Sequence, residues 1–250
     1  MTSRANKVAA VTLAFWVMKI CATTLGETAG DLLSMTLGIG YGIASVILIS
    51  AFLVSLALQL RSEKFLPGVY WTVILTTSTA GTTISDYMDR TLGLGYATGA
   101  AILTGLLIAV LAAWLLSEKS LSVENIRSTR TESFYWAAIL VSNTLGTALG
   151  DYLADDSGLG FAGGAALIGT AIAAIALLQR FTAANRILLF WLAFVLTRPF
   201  GATLGDLLTK GGEKGGLGFG TIASSAILFA ILLILLFFNI RNHRRLSLAR

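Results

Sequence analysis

The chain has 250 residues, of which 56% are hydrophobic and only 12% charged, with two prolines and a mean hydropathy of +0.80. That leaves too few polar groups to cover a soluble globule of this size, so an integral membrane protein is expected. The net charge of +5 carries no argument for a nucleic-acid partner, and a single Cys21 excludes a disulfide framework or a thiolate metal site.

Eight apolar runs are long enough, at roughly 20 residues each, to cross about 30 Å of hydrocarbon. They lie near residues 8–31, 39–60, 67–87, 94–117, 133–153, 159–180, 186–208 and 217–240. Lys19 interrupts the first run, which is also too long for a signal-peptide core, so a retained first helix is expected. The longest segment between runs covers about 118–132. Thirteen of the eighteen Lys and Arg residues fall at the N-terminus (Arg4, Lys7), in the longer loops (Arg61, Lys64, Lys119, Arg127, Arg130, Arg180, Arg186) or in the tail (Arg241, Arg244, Arg245, Arg250). That face is expected to be cytoplasmic, with both termini inside, and the basic tail is a weak candidate for anionic lipid. The alternate loops carry only Arg90, Lys210 and Lys214.

The runs pair into a repeat. Trp16 and Asp31, Trp71 and Asp86, Trp136 and Asp151, and Trp191 and Asp206 are each fifteen residues apart. Odd-numbered helices read FWVMKICATTLGETAGD, YWTVILTTSTAGTTISD, YWAAILVSNTLGTALGD and FWLAFVLTRPFGATLGD, and the even-numbered ones open with LGIGYG, LGLGYA, LGLGFA and LGFG. A fixed spacing repeated four times marks copies of one unit. The expected architecture is all-α and polytopic: one transmembrane domain over 1–250, with repeats near 8–61, 66–117, 132–180 and 186–240. An even number of helices per copy makes the four copies parallel, around an axis along the membrane normal.

Small residues four apart (Gly26 and Gly30, Gly81 and Ser85, Gly146 and Gly150, Gly201 and Gly205) share a helix face and permit close backbone approach. The alternative is a Gly-rich helix break, for which Pro199 is the best-placed residue. The aromatic-Trp pairs of copies two to four suit a headgroup belt, whereas Trp16 lies deeper and is placed to pack within the bundle.

Function is sought in the ionisable groups. The four Asp stand near the far end of their helices, where they either cap and solvate the helix end or converge around an axis, as one ring or two facing pairs, sharing protons or a cation. Copy one adds Glu27 and Lys19, which with Thr23 and Asp31 form a stripe of four-residue spacing; copy four adds Arg198. Charges at this depth are costly and normally pair, so Lys19 and Arg198 are the expected partners of Glu27 and the aspartates. The bland counterpart is a buried salt bridge that fixes packing. Thr23, Thr82, Asn143 and Thr147, with Thr83 and Thr144 beside them, are expected to supply the polar lining.

These segments resemble a family of bacterial membrane proteins built from four tandem repeats of unknown function, each with two transmembrane segments and a characteristic tryptophan. FWVMKICATTLGETAGD, FYWAAILVSNTLGTALGD and FWLAFVLTRPFGATLGD carry the likeness, which spans the chain. The resemblance implies metal-ion transport, manganese included, and directs attention to Lys19, Glu27, Asp31, Asp86, Asp151, Arg198 and Asp206.

With one His (His243) and one Cys, any metal must use carboxylate oxygens: Glu27, Asp31, Asp86, Asp151 and Asp206, suiting Mg, Mn or Ca type ions. No Ser/His or Cys/His set is present, so no enzyme and no cofactor are expected. The reading is a proton-coupled secondary transporter of a small cation in the bacterial inner membrane, its partners being lipid and a small ion or molecule. The alternatives are a channel with a ring of four Asp and a non-transporting structural or sensory protein.

Overall fold

The computed structural model describes residues 6–248, with the side chains of 125, 244 and 246–248 outside the description. Arg4 and Arg250, and the Arg244 side chain, counted above toward orientation, lie outside the described residues. The described residues form eight long α-helices: α1 (Leu13–Asp31), α2 (Tyr41–Arg61), α3 (Pro67–Asp86), α4 (Tyr96–Glu118), α5 (Thr129–Asp151), α6 (Gly160–Phe181), α7 (Arg186–Thr209) and α8 (Thr221–Leu248).

The helix starts follow from local chemistry. The side chains of Thr12, Ser128 and Asn185 each accept a hydrogen bond from the first turn of α1, α5 and α7, and Pro67 opens α3 where no amide proton is needed. The first helix therefore begins at Leu13 rather than near residue 8, and the fifth at Thr129 rather than 133. In copies one to three a five-residue π-helical turn follows the aspartate (Leu32–Thr36, Tyr87–Thr91, Tyr152–Asp156). The LGxG signature then turns the chain: both of its glycines adopt positive φ in all four copies, from +66° to +82°. Only glycine takes this backbone without strain, which is why each copy retains the pair.

The odd-numbered helices form a closed inner ring in which α1 packs on α3, α3 on α5, α5 on α7, and α7 on α1. The even-numbered helices lie outside it, α2 against α3, α4 against α5, α6 against α7, and α8 closing the circle against α1. Each outer helix thus covers the inner helix of the next copy, so no two-helix copy buries its own apolar face alone. Among the described residues, five helices (α2, α4, α6, α7 and α8 over Thr221–His243) are long and apolar enough to cross a membrane. In the outer four of these only 17–28% of the span is buried, against 61% in α7, which places the apolar surface outside and α7 in the ring. The inner helices α1, α3 and α5 are more polar because their polar residues face one another.

Close approach in the ring is set by the glycine ten residues after each Trp. A Cβ on Gly26 would meet Ser78, on Gly81 Asn143, on Gly146 Arg198 and on Gly201 Thr23, all within 3.0 Å. The packing role expected of the small residues is the one they have, and no helix break occurs: α7 runs through Pro199 unbroken. The tryptophans of copies two to four differ from expectation. Trp71, Trp136 and Trp191 are buried and Trp16 is half-buried. The aromatic residue preceding each Trp reaches the Trp of the next copy, Phe15 to Trp71 at 5.8 Å, Tyr70 to Trp136 at 5.4 Å, Tyr135 to Trp191 at 6.5 Å and Phe190 to Trp16 at 5.8 Å. They close an aromatic ring inside the bundle rather than a belt facing headgroups, held by tilted and edge-to-face contacts between neighbouring copies.

Over this aromatic end lies the N-terminal segment. Lys7 forms an ion pair with the fully buried Glu132, whose other oxygen accepts from Gln59 Nε2 at 2.8 Å, and the Lys7 amide donates to Ile126 O at 3.0 Å. The loop after α4 is held to the same end, with Trp191 Nε1 donating to Leu121 O at 3.0 Å.

Gly81→Ala places its methyl 2.9 Å from the Asn143 carbonyl carbon, and overpacking of this kind costs about 1–3 kcal/mol. Thermal unfolding in detergent should show that loss, whereas Gly105→Ala, which meets nothing within 4 Å, should be neutral or slightly stabilising.

Candidate functional site

Four residues of each inner helix, three, seven, eleven and fifteen after the Trp, stand one turn apart on the face toward the axis. They make four layers: Lys19, Ile74, Ile139 and Phe194; Thr23, Ser78, Asn143 and Arg198; Glu27, Thr82, Thr147 and Ala202; and Asp31, Asp86, Asp151 and Asp206. None of the sixteen is more than 4% exposed. Polarity rises from the aromatic end to the acidic end.

Arg198 joins two of these layers. Its own copy has Ala202 one turn on, which leaves room for the guanidinium to enter the third layer. There Nη2 lies 2.9 Å from Glu27 Oε2, 2.5 Å from Thr82 Oγ1 and 2.7 Å from Thr147 Oγ1, its two hydrogens shared among the three acceptors. One side chain from α7 thus touches the equivalent residue of each of the other three copies, and Nη1 faces Thr23 O at 3.5 Å.

Lys19 lacks the acidic partner expected from the stripe. Its ammonium donates to Asn143 Oδ1 at 3.3 Å across the axis and lies 4.4 Å from the centre of the Phe194 ring. Glu27 is eight residues away and already held by Arg198, so the Lys19–Glu27 pairing is replaced by Arg198–Glu27. Asn143 Nδ2 donates onward to Thr77 Oγ1 at 3.0 Å. The Thr23 hydroxyl is directed to the backbone carbonyls of Lys19, Ile20 and Thr197.

The aspartates form two pairs, each bridged by one cation. Arg90 places Nε 3.0 Å from Asp86 Oδ1 and Nη2 3.0 Å from Asp151 Oδ2. Lys210 places Nζ 2.5 Å from Asp31 Oδ2 and 3.2 Å from Asp206 Oδ1. Burial opposes the charge on Lys210, but Asp206 and Asp31 outweigh it and hold the ammonium above the usual lysine range. Arg198 does not reach Asp206. Oxygens of Glu27, Asp31 and Asp206 all lie within 4.8 Å of one another and can hold a metal ion; Asp86 and Asp151 are outside that group.

Arg90 and Lys210 were not singled out by the sequence, where both count as loop residues. Their signal is that each follows its aspartate by four, so the chain continuing past the Asp carries them back over it, and copies one and three have Met35 and Asp155 there instead.

The family described as Repeat of Unknown Function (DUF347) matches residues 14–65, 69–120, 134–185 and 189–245. The chain belongs to this family. Each DUF347 repeat holds one inner helix, the glycine turn and one outer helix, with its Trp and Asp in phase. No curated protein and no solved structure matches the chain.

Removing Arg198 strands the buried Glu27 carboxylate, and breaking a buried pair in this way costs about 3–5 kcal/mol, whereas a buried ammonium with no carboxylate partner carries a desolvation cost that its removal relieves. Thermal unfolding of Arg198→Met and Lys19→Met should therefore diverge, the first strongly destabilised and the second unchanged or more stable.

Proposed function

We propose that the protein is a secondary transporter of the bacterial cytoplasmic membrane that carries a small hard cation, a divalent metal such as manganese among the candidates, with proton coupling. All eight helices would cross the membrane, α1, α3 and α5 shielded by the outer ring. The basic loops and both termini would face the cytoplasm, as the distribution of Lys and Arg favours. The aromatic ring would then seal the cytoplasmic end and the aspartates would face outward.

The observation that carries this proposal is the column of five buried carboxylates and the buried Arg198 and Lys19 on the axis, inside a shell whose outer surface is apolar. Ionisable groups at membrane depth are expensive, face cavities or one another, and mark ion pathways and proton relays. The oxygen-only donor set of Glu27, Asp31 and Asp206 suits a hard cation with part of its water retained. Carboxylates that exchange metal for protons would supply the coupling. Lys19 and Arg198 both cross the axis, Lys19 to Asn143 on α5 and Arg198 to Thr82 on α3, which favours a carrier with alternative pairings over an open ring of four Asp. Nothing in this scheme calls for catalysis or a cofactor.

The mechanism needs two arrangements of the same charges. In the present one Arg198 holds Glu27, and the Asp pairs are bridged. Movement of one pair of copies against the other would exchange these partners and admit water from the opposite side, while the glycine contacts let the inner helices slide with little side-chain obstruction.

In proteoliposomes loaded with a divalent-sensitive dye, Asp31→Asn and Asp206→Asn should each reduce cation flux at least tenfold and flatten its dependence on an imposed pH gradient. Flux and pH dependence equal to those of the unaltered protein in both variants would rule out the carboxylate site.

A further inference from the structure

Arg90 and Lys210 occupy equivalent places in copies two and four, yet they are held differently. Arg90 lies within the π-helical turn Tyr87–Thr91, bound by Asp86 and Asp151, within 3.3 Å of the Tyr41 hydroxyl and against the Tyr41 and Tyr96 rings at 6.0 and 5.6 Å. It is clamped from four directions. Copy four has no such turn: α7 runs to Thr209, Lys210 is extended (φ −73°, ψ 150°), and the chain continues through Gly211, Gly212, Gly215, Gly216, Gly218 and Gly220. The Lys210 side chain has only Asp31 and Asp206 as ion-pair partners among the described residues. A lysine stem is flexible and its ammonium makes point contacts, so withdrawal needs side-chain rotation alone.

The place that Lys210 fills has the dimensions of an ion site. Oxygens around one hard cation at about 2.3–2.6 Å lie no more than roughly 5 Å apart, and those of Glu27, Asp31 and Asp206 are within 4.8 Å. A separate feature points to a missing cation. Asp206, a member of this cluster, is 4% exposed, and its Oδ1 accepts no hydrogen bond, having only the Lys210 ammonium at 3.2 Å beside it.

We propose that Lys210 is a tethered counter-cation that holds the Glu27, Asp31 and Asp206 site when no ion is bound, and that a hard divalent cation binds there only by displacing it. Arg90 stays in place and serves as the fixed clamp of the other pair. The proposal rests on the carboxylate site of the transport reading and gives that site its resting occupant. Exchange of an internal ammonium for a metal keeps a cation between Asp31 and Asp206 in both states, so neither state leaves that pair without a counter-charge.

The test is Mn2+ binding to the full-length protein in detergent, read from the free-ion electron paramagnetic resonance signal. Lys210→Met should bind Mn2+ at least tenfold more tightly than the unaltered protein, Asp31→Asn in that background should abolish the gain, and Arg90→Met should give no gain. In the unaltered protein, Mn2+ should raise acetylation of Lys210 by an amine-reactive ester, followed by mass spectrometry, a readout independent of how any variant folds. Binding that is sensitive to Asp31→Asn but equal in Lys210→Met, an equal gain in Arg90→Met, or acetylation indifferent to Mn2+ would overturn the displacement and leave the carboxylate site standing. Absence of Mn2+ binding from every form would overturn both.

Discussion

A guanidinium with no exposure at the centre of the bundle must find its partners there, and the rest of the inner ring is arranged around that requirement. Arg198 offers five donors in a rigid fork and cannot shed its charge. Ala202 leaves the space, Glu27 supplies the charge, and Thr82 and Thr147 supply acceptors from the two remaining copies. The arrangement works only if all three acceptors stand at one height on three different helices. Near-fourfold symmetry provides that height, and the glycines ten residues after each Trp bring the helices close enough for one side chain to span them. The symmetry is thus broken in composition but kept in backbone, each copy contributing a different side chain to a common layer.

Around this centre, polarity is graded along the axis and radially. Toward one end the layers become apolar and then aromatic, closed by the Phe15–Trp71 type contacts and covered by the segment that carries Lys7. Toward the other they become acidic, and the surplus of carboxylates is met by Arg90 and Lys210 reaching back from beyond the helices. Radially, the inner helices keep their polar faces on the axis while the outer helices present an apolar surface, an inversion that suits a hydrocarbon solvent. A polar core in an apolar coat is costly to build unless every charge is answered, and in this ring Lys19 is the member without a carboxylate.

Much of this plan is legible in the amino-acid order because it depends on periodicity. The four-residue spacing that puts Lys19, Thr23, Glu27 and Asp31 on one face is visible in copy one, and alignment of the copies extends it to every inner helix. The glycines and the LGxG turns are legible for the same reason. Partner identity is not, since Glu27 has Lys19 on its own helix and Arg198 on another, and only the order of helices around the ring decides that Arg198 is nearer. The tryptophans mislead because their distance from the helix start suits a headgroup boundary, whereas the outer helices and the neighbouring copies bury Trp71, Trp136 and Trp191. Arg90 and Lys210 escape notice because their place over the aspartates depends on how the chain continues past the Asp, which no hydropathy pattern announces.

The dependence of the ring on Arg198 is measured most directly by a double-mutant cycle for thermal unfolding in detergent, using Arg198→Met, Glu27→Gln and the pair together. A shared buried interaction predicts a coupling of at least about 2 kcal/mol, the double variant being much less damaged than the sum of the single ones, whereas independent sites add to within about 0.5 kcal/mol. Additive behaviour would contradict the placement of Arg198 and Glu27 as the joint centre of the bundle.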